Sequence, residues 1–117
     1  MVKVINEKGN ISVSKNVFNN LVGVAATNCF GVKGMAMRSM SDGLVHLLKR
    51  ESMGKGVYVT YNDDASISIE LHIIVEQGVN IAALGESIIN EVSYKVNRAT
   101  SVEVRNVDIF IDSIIID

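Results

Sequence analysis

The sequence predicts an α+β domain: a small, mainly antiparallel sheet with two main helices packed on one face and a short extra helix. Three observations lead there. Val57, Val59 and Tyr61 alternate with polar residues, and Ile67, Ile69, Leu71, Ile73 and Val75 alternate again after a turn, which reads as a hairpin. Two other segments carry apolar residues at helical spacing. The elements follow the order (β)β-α-(short α)-β-β-α-β, and helices that cover one side of such a sheet make a two-layer domain. At 117 residues the chain forms one domain, residues 1–117, around a single core.

Val2–Ile5 and Asn10–Val13 are β-prone runs flanking Glu7-Lys8-Gly9, so they form a hairpin or a kinked edge strand. Ser14 then suits an N-cap, and Val17, Phe18, Leu21, Ala25 and Cys29 make the inward stripe of a helix that stops near Gly31. The opposite face holds Asn16, Asn19, Asn20, Gly23 and Thr27, none of them charged. Asn and Gly weaken a helix by several tenths to ~1 kcal/mol each, whereas Glu, Lys or Arg would hydrate a solvent face at little cost. The expectation is that something packs there, so Asn16, Asn20, Gly23 and Thr27 form a candidate interaction surface.

After the glycine-punctuated stretch GVKGMAMRSM, Ser41 or Asp42 is expected to cap a short helix with Leu44, Val45, Leu47 and Leu48 inward, ended by Gly54 and Gly56. In the second strand of the central hairpin, Ser68, Glu70, His72 and Glu76 share the other face, which is therefore wet. Asn80 can cap a long helix to about Arg98, with Ile81, Leu84, Ile88, Val92, Val96 and Ala99 as its stripe. Gly85 lies within that stripe and suggests a close neighbour. In the last strand the apolar parity changes from Val102 and Val104 to Val107, Ile109 and Ile111, which predicts a β-bulge at Arg105-Asn106. Ile114–Ile116 extends that strand.

Charge is uneven. The formal net charge is −2, yet residues 31–56 carry a local +3 from Lys33, Arg38, Lys49, Arg50 and Lys55 against Asp42 and Glu51. This basic patch can attract an acidic protein, a phosphate backbone or anionic lipid; a solvated surface is the plain reading. The apolar runs are far shorter than the roughly 20 residues of a membrane span, so no membrane insertion is expected. The opening MVKVINEKG lacks the apolar stretch of a secretory signal, and the single cysteine fits a reducing compartment, so the expected location is cytoplasmic.

Few residues could do bond-making chemistry. Cys29 with His46 or His72 is the sole nucleophile–base combination, and no motif joins them. Two histidines 26 residues apart and one cysteine make no metal site, and Asp63-Asp64 reads as a turn rather than a calcium loop. Glu70 and Glu76, with His72 between, read as solubilising residues of a wet face. No catalytic, cofactor or metal residues are expected. Gly31-Val32-Lys33-Gly34 matches the GxxG loop by which KH domains clamp nucleic acid, but MAMRSMSD separates it from the next helix and the chain is acidic.

Three stretches, VGVAATNCFGVKGMA, SDGLVHLLKRESMGKGVYV and VRNVDIFIDSI, together resemble the alkaline shock protein family of Gram-positive envelope stress response proteins, in particular its short, YloU-like members. The likeness spans nearly the whole chain, although Asp108 stands where the family often has Asn and Ser113 lies near a usual Gly. The resemblance implies a non-enzymatic, cytoplasmic protein, peripheral at the inner face of the membrane through a protein partner such as a small integral membrane protein; a homo-oligomer is expected beside it. Two alternatives remain: an RNA-binding KH-like domain using Gly31–Gly34, and a regulatory partner of a fatty-acid/dihydroxyacetone-type kinase.

Overall fold

A computed structural model of the chain describes residues 2–38, 45–48 and 54–116, with backbone alone for residues 2–6, 37, 38, 45 and 46. The elements are β1 (Val2–Asn6), β2 (Gly9–Val13), α1 (Lys15–Thr27), β3 (Val32–Arg38), β4 (Val45–Leu47), β5 (Val57–Tyr61), β6 (Ile67–Glu76), α2 (Ile81–Thr100) and β7 (Val104–Ile115). The α+β architecture is the one read from the sequence.

Strand β6 organises the main sheet. Its Ile67–Leu71 half pairs antiparallel with β5, and its Ile73–Val75 end pairs antiparallel with β3. The other edge pairs parallel with β7 from Ile67 to Glu76, the one parallel pairing among the described residues. Strands β3 and β5 therefore lie end to end along one side of β6. At their junction sits Gly56, where a Cβ would stand 2.8 Å from the Ala36 carbonyl oxygen and 3.2 Å from Met35 Cβ. A side chain has no room there.

The apolar alternation of β6 explains the core. Ile67, Ile69, Leu71, Ile73 and Val75 are all buried, with Val57, Val59 and Met35 beside them. Helix α1 covers them from above β3 and β5, α2 packs beside α1, and α2 also rests on β7. Phe18, Val22, Ala25 and Ala26 of α1 meet Leu84, Ile88, Val92 and Val96 of α2 and the sheet in one cluster. Each large side chain so buried contributes about 1.5–3 kcal/mol before chain entropy is counted.

The inward stripe of α1 is rotated from the expected one. Val17 is exposed, while Val22, Gly23 and Ala26 are buried. A helix wedged between a sheet and a second helix buries the arc facing both, and positions 18, 22, 25 and 26 satisfy that better. Gly23 therefore lies inside the fold and leaves the candidate surface, a correction of its expected place. In α2, Leu84, Ile88, Val92 and Val96 are buried as expected, while Ile81 and Ala99 are exposed. Asn80 Oδ1 accepts from the Ala83 amide at 3.1 Å, the predicted cap.

Two further expectations change. Val45–Leu47, read as part of a short helix, is strand β4, antiparallel to β3; residues 41–44 and 49–53 of that expected helix lie outside the described residues. A short apolar run has no period long enough to distinguish strand from helix, and the unpaired Ala36–Arg38 edge supplies it with main-chain partners. Gly85 needs no close neighbour, because a Cβ there would first meet Ile109 Cδ1 at 4.0 Å.

The predicted bulge is present. Val104 pairs with Ile67 and Asn106 with Ser68, leaving Arg105 as the extra residue. A second bulge, unforeseen, leaves Asp112 extra between Ile111 and Ser113. β1 and β2 form a separate two-stranded hairpin.

Candidate interaction surfaces

Cys29 and His72, one of the nucleophile–base combinations that the sequence offers, lie on opposite faces of the sheet. Cys29 packs half-buried against the core between helices and sheet, where its thiol donates to the Ala25 carbonyl at 3.6 Å. Burial, and secondly the Glu91 carboxylate, push this thiol above its ordinary range, so it is mostly the unreactive protonated form near neutrality. His72 projects from the opposite face of the sheet, and the His46 side chain lies outside the described atoms. Among the described residues no group of three or more His, Cys, Asp or Glu could hold a metal ion.

The Gly31–Gly34 segment is not a loop between helices. Val32 and Gly34 pair with Val75 and Ile74 of β6, and Lys33 is the bulged residue between them. Val32 and Gly34 thus have main-chain partners in the sheet, unlike the free loop that the GxxG pattern describes. Gly31 has its own reason for being glycine. It has a φ of 97°, and a Cβ there would stand 2.8 Å from Val79 Cγ2.

The two candidate surfaces adjoin. On α1, Asn16 and Asn20 are exposed and Thr27 is half-buried, its hydroxyl donating to the Gly23 carbonyl at 2.9 Å. Val24, half exposed on the same side, was not foreseen. Val24 and Thr27 line a cleft of about 340 Å³ whose far wall is Lys33, Gly34 and Leu48. Gly54 lies against Asn19 and Asn20, with exposed Lys55 beside it. Thus Lys33 and Lys55 of the basic patch flank the uncharged helix face. Lys33 also pairs with Glu76 at 3.7 Å. The Arg38 side chain, Lys49 and Arg50 lie outside the described atoms.

Phe30 is a separate exposed apolar side chain, beside a hollow lined by Gln77, Val79, Asn80 and Ala83. It is 93% exposed in the turn between α1 and β3, one residue before Gly31. Sequence reading missed it, although an aromatic side chain in a short helix-to-strand turn has little core to reach.

The outer sheet face carries a second organised group. His72 Nε2 lies 3.0 Å from Glu70 Oε2, and Nδ1 lies 2.9 Å from Asp112 Oδ2. Its ring stacks on Phe110 with centroids 4.9 Å apart and meets the Tyr58 ring edge-on at 5.6 Å. The sequence signalled the face but not the cluster.

Fold and surfaces together define a small two-layer α+β domain with exposed patches among its described residues. Residues 3–116 match the model of the alkaline shock protein 23 family, described as having a cell envelope-related function, and the chain belongs to that family. It is 32% identical over 107 residues to the uncharacterized protein YloU of Bacillus subtilis, covering 91% of this chain and 88% of that protein. It is 31% identical over 114 residues to the uncharacterized protein Spy1614 of Streptococcus pyogenes serotype M6, covering 97% and 93% respectively. No solved structure matches the chain.

Proposed function

We propose that this chain is a non-enzymatic module of the envelope stress response that acts by protein–protein contact. It works in the cytoplasm close to the membrane, held there by a protein partner, and it self-associates. The observation that carries this reading is the exposed Val24 beside uncharged Asn16, Asn20 and Thr27, with Lys33 across the cleft, and a second exposed apolar side chain, Phe30, in the turn that follows α1. Exposed apolar side chains rimmed by polar residues are the usual composition of a contact surface. The family's cell envelope-related description supports the cellular setting. Among the described residues no helix is long and apolar enough to cross a membrane, which is consistent with attachment through a partner.

The test compares the tagged wild-type chain with Val24→Glu and Phe30→Ser, both at exposed positions. Pull-down from envelope-stressed cells with mass spectrometry identifies the partner, and sedimentation gives the assembly size. Loss of the captured membrane protein and of the larger species in the variants is the expected outcome. A monomeric wild type, with the same captured proteins in all three, refutes the surface. Capture of a kinase instead of a membrane protein supports the regulatory alternative.

A further inference from the structure

The outer face of β5, β6 and β7 has an order that its reading as a merely wet surface does not explain. Cross-strand register makes rows: Thr60, Ser68 and Asn106; then Tyr58, Glu70 and Asp108; then His72 and Phe110. The bulge at Asp112 brings one more carboxylate up to His72. These outward positions carry Glu70, Asp108 and Asp112 and no lysine or arginine. Arg105 sits at the far end, lining a hollow with Asp63 and Asp64, and Lys33 is engaged at the other end with Glu76.

Glu70 and Asp108 are direct cross-strand neighbours, an arrangement that like charges destabilise. His72 takes up the Glu70 and Asp112 oxygens, whereas Asp108 is exposed and, among the described residues, receives a long contact, 3.4 Å, from Asn106 Nδ2. Between Tyr58, Glu70, Asn106 and Asp108 lies a hollow of about 140 Å³, a size suited to the tip of one side chain. Tyr58 and Phe110 are half exposed beside it. A cation entering there would sit between two carboxylates and near aromatic rings, which favour ammonium and guanidinium groups. β7 pairs only with β6 among the described residues.

We infer that the outer face of β5–β6–β7 is a docking surface for an arginine- or lysine-bearing segment of a protein partner, whose cation enters the hollow between Glu70 and Asp108. It lies on the opposite side of the sheet from α1, and it stands whether or not the α1 surface binds anything.

The experiment titrates the full chain with a short fluorescein-labelled peptide of alternating arginine and serine, at low and moderate salt. Its glutamate–serine counterpart and phosphatidylglycerol vesicles serve as comparisons. The wild type is expected to bind the arginine peptide with an affinity that falls as salt rises, and to bind neither the acidic peptide nor the vesicles through this face. Asp108→Lys should weaken binding by about tenfold or more, one row's worth of charge reversal, and Phe110→Ala should weaken it several-fold. Asp63→Lys makes the same charge change in the turn outside the strip and should have a much smaller effect. Absence of binding by the wild type, or equal losses in Asp108→Lys and Asp63→Lys, overturns the inference. Vesicle binding that Asp108→Lys abolishes would also overturn it, by showing that the face meets lipid. Circular dichroism of each variant excludes unfolding as the cause.

Discussion

His72 Nδ1 and Asp112 Oδ2 stand 2.9 Å apart because β7 bulges at Asp112. Without that extra residue the carboxylate would fall on a regular position and the next pairing would shift. Asp112 is 8% exposed at its side chain, so its charge has little water and relies on this contact.

Replacing Asp112 with Ala should therefore leave the half-buried imidazole without one partner. The expected loss is about 1–3 kcal/mol of unfolding free energy, typical of an unpaired polar group next to the core. Urea denaturation of Asp112→Ala against wild type measures it. A change within experimental error would show that the bulge alone, and not the contact, holds this end of β7.

Two glycines should respond in opposite directions. Gly85→Ala gains helix propensity, and its new Cβ meets only Ile109 Cδ1 at 4.0 Å, so stability should rise by about 0.5–1 kcal/mol. Gly56→Ala forces a Cβ to 2.8 Å from a backbone oxygen at the β3–β5 junction, and should cost about 1–3 kcal/mol. Thermal melts of both variants give the signs directly.

Asp64 accepts hydrogen bonds from the Ser66 hydroxyl at 2.6 Å and the Ser66 amide at 3.1 Å, and these hold its carboxyl below the ordinary range. A carboxyl depressed on folding adds stability at pH above its unfolded-state value, and loses it as pH falls through the lower folded-state value. The turn from Asn62 to Ser66 should thus loosen only below the usual carboxylate range. In Ser66→Ala the Asp64 titration, followed by carboxyl NMR shifts, should move upward; an unmoved midpoint would deny the hydroxyl its role.

Cys29 should alkylate slowly at neutral pH and faster as pH rises, because burial and Glu91 favour the protonated thiol. Glu91→Gln removes the smaller of these two causes and should raise the rate modestly. Rapid modification of the wild type at neutral pH would contradict the packed position of the thiol.

The places where reading the residues succeeded and failed have a common physical basis. The Arg105 bulge was legible because apolar residues on both sides of it show opposite parity. The Asp112 bulge was not, since Ile111 is followed by Ile114, Ile115 and Ile116 on both faces and hides the change. Val45–Leu47 offered three residues, too few to separate a strand from a helix. Gly23 falls on one face with Asn16 and Asn20 by helical spacing, yet it is buried where they are exposed, and spacing along α1 alone does not show that. Asp112 and His72 are 40 positions apart, a separation no local pattern bridges.

By itself, the chain's order of residues determined the α+β class, the buried face of β6, the long helix with its Asn80 cap and the first bulge. All of these follow from local periodicity and from how each side chain meets water. The tertiary structure decided which strands share an edge, that β7 runs parallel to β6, that Gly23 faces inward, and that Glu70, His72, Phe110 and Asp112 meet on one surface. Those relationships depend on strand register and helix rotation, which are settled by packing between distant segments.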